Sequence, residues 1–108
     1  KTELTDAVLC KAVQEMAAGL IDADLGGSVV KKRVGLAGRG KRGGVRTLVA
    51  TNKGNRWFFV FGFEKNERAN VSDEELEGLQ TIAADLLART GPQLDEAVAD
   101  GALQEICQ

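Results

Sequence analysis

The stretch VVKKRVGLAGRGKRGGVRTLVATNKGNRWFFVFGFEKNER, from Val29 to Arg68, decides the fold. Three runs of β-patterned residues stand in it at 29–34, 45–52 and 56–63, joined by short glycine-bearing links. Asn52-Lys53-Gly54-Asn55 makes a tight hairpin connection, with Gly available for positive φ. Sequential strands with short links form an antiparallel meander. The third run carries Trp57, Phe59, Phe61 and Phe63 on one face and Phe58 and Val60 on the other. Apolar residues on both faces read as a central strand covered on each side, and Gly62 marks a bulge or a close approach.

Helical patterns flank this block. Val8, Leu9, Ala12, Val13 and Met16 lie on one stripe, which predicts a helix over 5–18 with Thr5 as N-cap and Gly19 as its stop. The stretch Asp22–Ser28 reads as a turn around Gly26-Gly27. Downstream, Ser72 and Glu75 form a capping box, and Val71 and Leu76 a hydrophobic staple. Asp73, Glu74 and Glu75 put negative charge at the positive end of that helix dipole. Leu76, Leu79, Ile82, Ala83, Leu86 and Leu87 supply the buried stripe. Gly91-Pro92 ends it, Pro92 suits the first turn of a short helix to about Asp100, and Gly101 stops that one. Leu103–Cys107 reads as a small edge strand. The expected fold is α+β: a small antiparallel sheet packed by an N-terminal helix and C-terminal helices, in a single domain over 1–108.

Charge is segregated along the chain. Residues 31–68 hold 11 Lys and Arg against two acids, Glu64 and Glu67, whereas residues 69–108 hold one base and nine acids. The net charge of −2 conceals this, and it is the local field that selects a partner. A basic, β-patterned third backed by acidic helices points to a polyanion, with nucleic acid as the first candidate. The sequence has no His and no Tyr, which excludes His-based acid–base pairs and Ser-His-Asp triads. Cys10 and Cys107 lack metal-ligand spacing and read as small buried hydrophobes in a reducing cytosol. No apolar run approaches a membrane span, so the expected location is cytoplasmic. No metal and no cofactor is implied, because the basic third has no clustered carboxylates.

Within the basic third, GRGKRGG (Gly38–Gly44) lets backbone approach a phosphate while Arg39, Lys41 and Arg42 supply charge. It lacks the Lys-Ser/Thr pair of a phosphate-binding P-loop, and its plainer reading is a solvated hairpin loop. Arg46, at the start of the second long strand, is placed to clamp a phosphate bidentately; a surface ion pair is the alternative. Glu64-Lys65-Asn66-Glu67-Arg68 leaves the third strand directly. There Lys65, if crowding by Arg46 and Arg68 disfavours its protonated form, or Glu67 is a candidate proton acceptor, and Asn66 is a candidate base contact or turn cap. The aromatics of 57–63 read as core packing rather than as a base-stacking platform.

GRGKRGGVRT (Gly38–Thr47) and FVFGFEKNERANVS (Phe59–Ser72) resemble the RelE/HigB-type toxins of type II toxin–antitoxin systems, and Gly19–Val34 is similar as well. The patterns look closest to G-x-G-x-x-G-G-x-R-T and F-x-K-N-E-x-x-N-[IV] of the HigB-like branch. That resemblance implies a RelE-like fold and a metal-independent endoribonuclease that cuts mRNA on the ribosome, an mRNA interferase that inhibits translation. It also implies a cognate antitoxin with a helix-turn-helix domain. By motif position it marks Arg46, Lys65, Glu67 and Lys41 as catalytic candidates and Arg42 and Asn66 as RNA contacts. Arg39, Arg68 and Lys32 complete the RNA-binding set on charge. The family pattern places a strand and helix before the point at which this sequence opens. The rival readings are a non-catalytic nucleic-acid binder, a ParE-like gyrase poison, and a degenerate toxin that only binds its antitoxin.

Overall fold

The computed structural model describes residues 4–36, 40–64 and 67–107. Four strands form one antiparallel sheet in chain order: β1 (Ala23–Gly26), β2 (Val29–Leu36), β3 (Gly40–Thr51) and β4 (Trp57–Glu64). Helix α1 (Asp6–Ala17) precedes the sheet, and α2 (Asp73–Ala88) and α3 (Gly91–Ala99) follow it. The α+β expectation holds.

A helix covers each face of the sheet. Met16 of α1 packs on Val30 and Val49, with Val13, Ile21, Trp57 and Phe59 around them. On the opposite face Leu79 and Ala83 of α2 pack on Val29, Leu48 and Ala50, joined by Phe58, Val60, Phe61 and Leu76. Successive residues of a strand point to opposite faces, so β3 is buried on both sides at Leu48, Val49 and Ala50. Truncating a fully buried leucine such as Leu48 costs about 2–5 kcal/mol.

The helix ends follow their capping residues. Thr5 Oγ1 accepts from Val8 N, and Gly19 closes the helix with φ +100°. Ser72 and Glu75 form the expected box, with Ser72 Oγ accepting from Glu75 N at 3.1 Å and Glu75 Oε1 from Ser72 N at 2.8 Å. A second box, Thr90 with Gln93, starts α3. Arg56 reaches from the start of β4 to the carbonyls of Leu87 and Arg89, satisfying orphan acceptors at the end of α2.

The structure corrects six readings of the sequence. Asp22–Ser28 is not all turn: Ala23–Gly26 is an edge strand on β2, and the turn narrows to Gly27 and Ser28, both at positive φ. Gly40–Gly44 belongs to β3 rather than to a loop. β4 is an edge strand, not a central one; it is apolar on both faces because the sheet carries a helix on each. Leu48 pairs with Phe61 while Val49 pairs with Phe59, so Val60 is an extra residue on β4. Such a bulge shifts the alternation by one. It moves Phe61, and Phe63 with which it is in ring contact at 6.0 Å, to the α2 face. Lastly, Leu103–Cys107 is irregular, and Cys107 is bonded to Cys10 across a sequence separation of 97 with Cα atoms 5.3 Å apart. The cysteines are thus a cross-link between α1 and the C-terminal segment, not two buried thiols.

β3 has more residues than β2 beyond Val34: Val34 pairs with Val45, but Leu36 pairs with Gly40. Gly44 lies inside this irregularity, where a Cβ would stand 2.0 Å from the Val34 carbonyl oxygen. Backbone cannot yield that distance cheaply, so the position requires glycine.

Two stability outcomes follow. Reducing the disulfide, or the Cys107→Ser change, lowers unfolding free energy by about 4–5 kcal/mol on the chain-entropy account of so long a loop, read from urea melts with and without reductant. Gly44→Ala destabilises by at least 2 kcal/mol, on the order of other backbone-strain substitutions, and a melt superimposing on wild type would show that the bulge relaxes freely.

Candidate anion-binding face

Lys31, Lys32 and Arg33 are consecutive on β2, and the pleat divides them. Arg33 pairs with Arg46 across the β2–β3 ladder, and Arg46 pairs with Phe63 across β3–β4. Directly paired residues share a face, so Arg33, Arg46 and Phe63 stand together. Lys31, opposite Leu48, is on the same face. This is the α2 side of the sheet, beyond the part that α2 covers with Leu79 and Ala83.

Lys32 goes the other way. It is only 3% exposed, its Nζ lies 2.8 Å from Glu15 of α1, and it donates to the Leu20 carbonyl at 2.9 Å. Thr47, its cross-strand partner, donates to the Lys32 carbonyl at 2.9 Å. Lys32 therefore anchors α1 to the sheet and is not part of the exposed cationic surface; its expected place among RNA contacts is corrected. Lys31 and Arg33, which the sequence reading passed over, are the β2 cations on the α2 side. Period-2 alternation from the apolar Val30 and Val34 would have found them.

Arg46 is half-buried, and among the described residues no ion pair or hydrogen bond engages its guanidinium. Arg33 is 44% exposed, with Asp22 Oδ1 at 3.7 Å from its Nε and Asp22 Oδ2 accepting from its backbone N–H at 2.6 Å. Two arginines directly opposite in a ladder repel. A half-buried cation with no counter-charge is a position that an anion would stabilise.

The chain returns to this end of the sheet after β4. Glu67 N and Arg68 N both donate to the Glu64 carbonyl, and Glu67 Oε1 accepts from Glu64 N at 3.0 Å. One oxygen of Glu67 is thereby committed to closing the turn. Arg68 lies over the Phe61 ring, 5.7 Å from its centroid, a cation–π contact worth roughly 0.5–1 kcal/mol at an exposed site. Its Nη1 also donates to Glu75 Oε1 at 2.6 Å. The Glu75 carboxyl is held below the usual range by the Ser72 backbone N–H first and by Arg68 second. A carboxyl depressed in the folded state stabilises above the ordinary glutamate range and loses that contribution as pH falls through the lowered value. Beside it an open groove is lined by Glu67, Arg68, Asn70 and Glu75.

The sequence-predicted residues therefore separate into groups. Arg46, Glu67 and Arg68 are brought to one end of the sheet. Lys32 is not. Arg39, Lys65 and Asn66, and the side chains of Lys41 and Arg42, lie outside the described residues; the backbone of Lys41 and Arg42 is in the irregular first part of β3. Among the described residues no three of His, Cys, Asp or Glu come together as a metal-binding group. No described helix is long and apolar enough to cross a membrane.

A small meander sheet between helices leaves part of one face open, and on it Arg46 stands without an ion-pair partner among the described residues. The chain matches, over residues 1–106, the family described as the RelE toxin of the RelE/RelB toxin–antitoxin system, and it belongs to that family. It is the toxin half of such a pair, and the family implies an antitoxin partner. No curated protein and no solved structure matches the chain.

Binding of a short oligoribonucleotide at a series of salt concentrations distinguishes the two kinds of cation. Arg46→Ala and Arg33→Ala each lower the slope of log K against log salt by roughly one. Lys32→Met leaves the slope unchanged and shifts the thermal melt instead, by an amount equivalent to about 1–3 kcal/mol, because it breaks charge-assisted bonds inside the protein.

Proposed function

We propose that this toxin is a ribosome-dependent endoribonuclease that cuts mRNA, and that the Arg33–Arg46 face is where the scissile phosphate sits. The observation that carries the reading is Arg46 itself: half-buried, without a counter-ion among the described residues, opposite a second arginine, and at the end of the sheet where Arg68 returns. RNA cleavage without an external nucleophile needs charge stabilisation more than covalent chemistry. The 2′-OH attacks the adjacent phosphorus, its proton passes to a base, and the 5′-oxygen of the next nucleotide leaves with a proton, giving a cyclic phosphate and a 5′-OH.

In that sequence Arg46 and Arg33 hold the non-bridging oxygens as charge grows on them. The proton acceptor is Lys65, Glu67 or Lys41. Glu67 would act with one oxygen already accepting from Glu64 N. The antitoxin, a helix-turn-helix protein in this proposal, neutralises the toxin by laying acidic groups over the same cationic face.

Purified protein added to ribosomes translating a defined message is expected to cut it, leaving 5′-OH ends. Arg46→Ala is expected to lower the rate about 10²–10³-fold, in line with removal of one transition-state donor. Intact message beside an active control nuclease, or full activity in Arg46→Ala, sinks the reading. A DNA-damage response in place of translation arrest would transfer the face to a gyrase-poisoning role.

A further inference from the structure

We infer that Glu75 is the positioning residue of the cationic face: it fixes the direction of the Arg68 guanidinium and couples it to the first turn of α2. The inference rests on the reading of that face as a phosphate site. One oxygen, Oε1, takes two donors, Ser72 N at 2.8 Å and Arg68 Nη1 at 2.6 Å. The capping box that starts α2 and the ion pair that holds Arg68 are thus one arrangement of one side chain.

Arg68 is restrained from three directions. Its backbone N–H is bound to Glu64 O at the turn leaving β4. Phe61 lies beneath its guanidinium. Glu75 fixes the third side. The pair is surface-placed, with the side chains 39% and 38% exposed, so its contribution to stability is small. What it contributes is direction. A free arginine has several rotatable bonds and no preferred aim, whereas a planar fork held by a carboxylate on one edge presents the other edge to an incoming phosphate. Phe61 in turn is two residues from Phe63, the direct partner of Arg46, on the same face. The Glu75–Arg68–Phe61 stack therefore sets the aim of Arg68 along the side of the face that Arg46 occupies.

Glu75→Gln isolates this role, since glutamine also serves at the third position of a capping box but removes the charge that holds Arg68. In the translating-ribosome assay the substitution is expected to lower kcat roughly tenfold with KM within about twofold, the signature of misplacement rather than lost binding. In an Arg68→Ala background, Glu75→Gln is expected to add nothing, because it acts through Arg68. Side-chain NMR of the arginine Nε–Hε groups is expected to show Arg68 shifted by the Phe61 ring in the wild type and unshifted in Glu75→Gln, with the remaining spectrum unchanged. An additive double mutant, a wild-type kcat in Glu75→Gln, or an Arg68 signal indifferent to Glu75 overturns the inference. A wild-type protein that cuts nothing overturns the nuclease reading instead, and the Arg68 signal then still decides whether Glu75 fixes that side chain.

Discussion

The register of β2 on β3 is the constraint from which the rest of the molecule follows. Because helices cover both faces, alternation of apolar and polar residues cannot by itself set that register: Val29 and Val30 are both buried, as are Leu48, Val49 and Ala50. The polar residues do it. Lys32 finds Glu15 and the Leu20 carbonyl on the α1 side, and Thr47 finds the Lys32 carbonyl. A one-residue slip would carry Lys32 to the other face and leave its partners behind. Breaking a buried charged arrangement costs several kcal/mol, far more than a surface cation gains. The same register puts Arg33 and Arg46 on the opposite face, so the ion pair that specifies the sheet and the cations of the open face are two consequences of one alignment.

What the sequence disclosed was the local part. Thr5, Ser72 with Glu75, Gly19 and Gly101 are signals written within a few residues of the helix ends they set, and each helix lies where they put it. What it concealed depends on distant partners. β4 looks central because each of its faces is apolar, yet an edge strand in a sheet with helices on both sides has the same pattern. The Val60 bulge changes which aromatics share a face, and Gly62, the residue that suggested a bulge, stands two positions beyond it and pairs in register with Thr47. Cys10 and Cys107 are nearly the whole chain apart, so their meeting is a property of the finished fold.

The site was half legible for a related reason. Charge density and the family pattern point at Arg46, Glu67 and Arg68, and the fold brings these three to one end of the sheet. Of three adjacent cations on β2, the middle one was selected for RNA, and it is the one that faces inward. Three neighbouring residues on a strand cannot all face the same way. Val30 and Val34, alternating with Lys32, already show which face the middle residue takes.

Lys31, Arg33 and Arg46 gather like charge on a sheet face whose natural filling is apolar, and no described acid offsets Arg46. Cross-strand repulsion of this kind costs on the order of 0.2–1 kcal/mol per pair, which a domain stable by about 5–15 kcal/mol tolerates. The acids are present but elsewhere, concentrated on α2, α3 and the segment after them. Had charge balance alone been selected, one of those acids would stand opposite Arg46. Keeping them away leaves Arg46 with an unmet preference for negative charge, and whatever brings that charge gains the interaction at Arg46 without first displacing an ion pair to a described acid. On the proposed reading, phosphates of a message and carboxylates of an antitoxin satisfy the same preference, so that occupancy by one excludes the other. On that same reading neutralisation needs no conformational change in the sheet, only competition for two arginines held opposite each other.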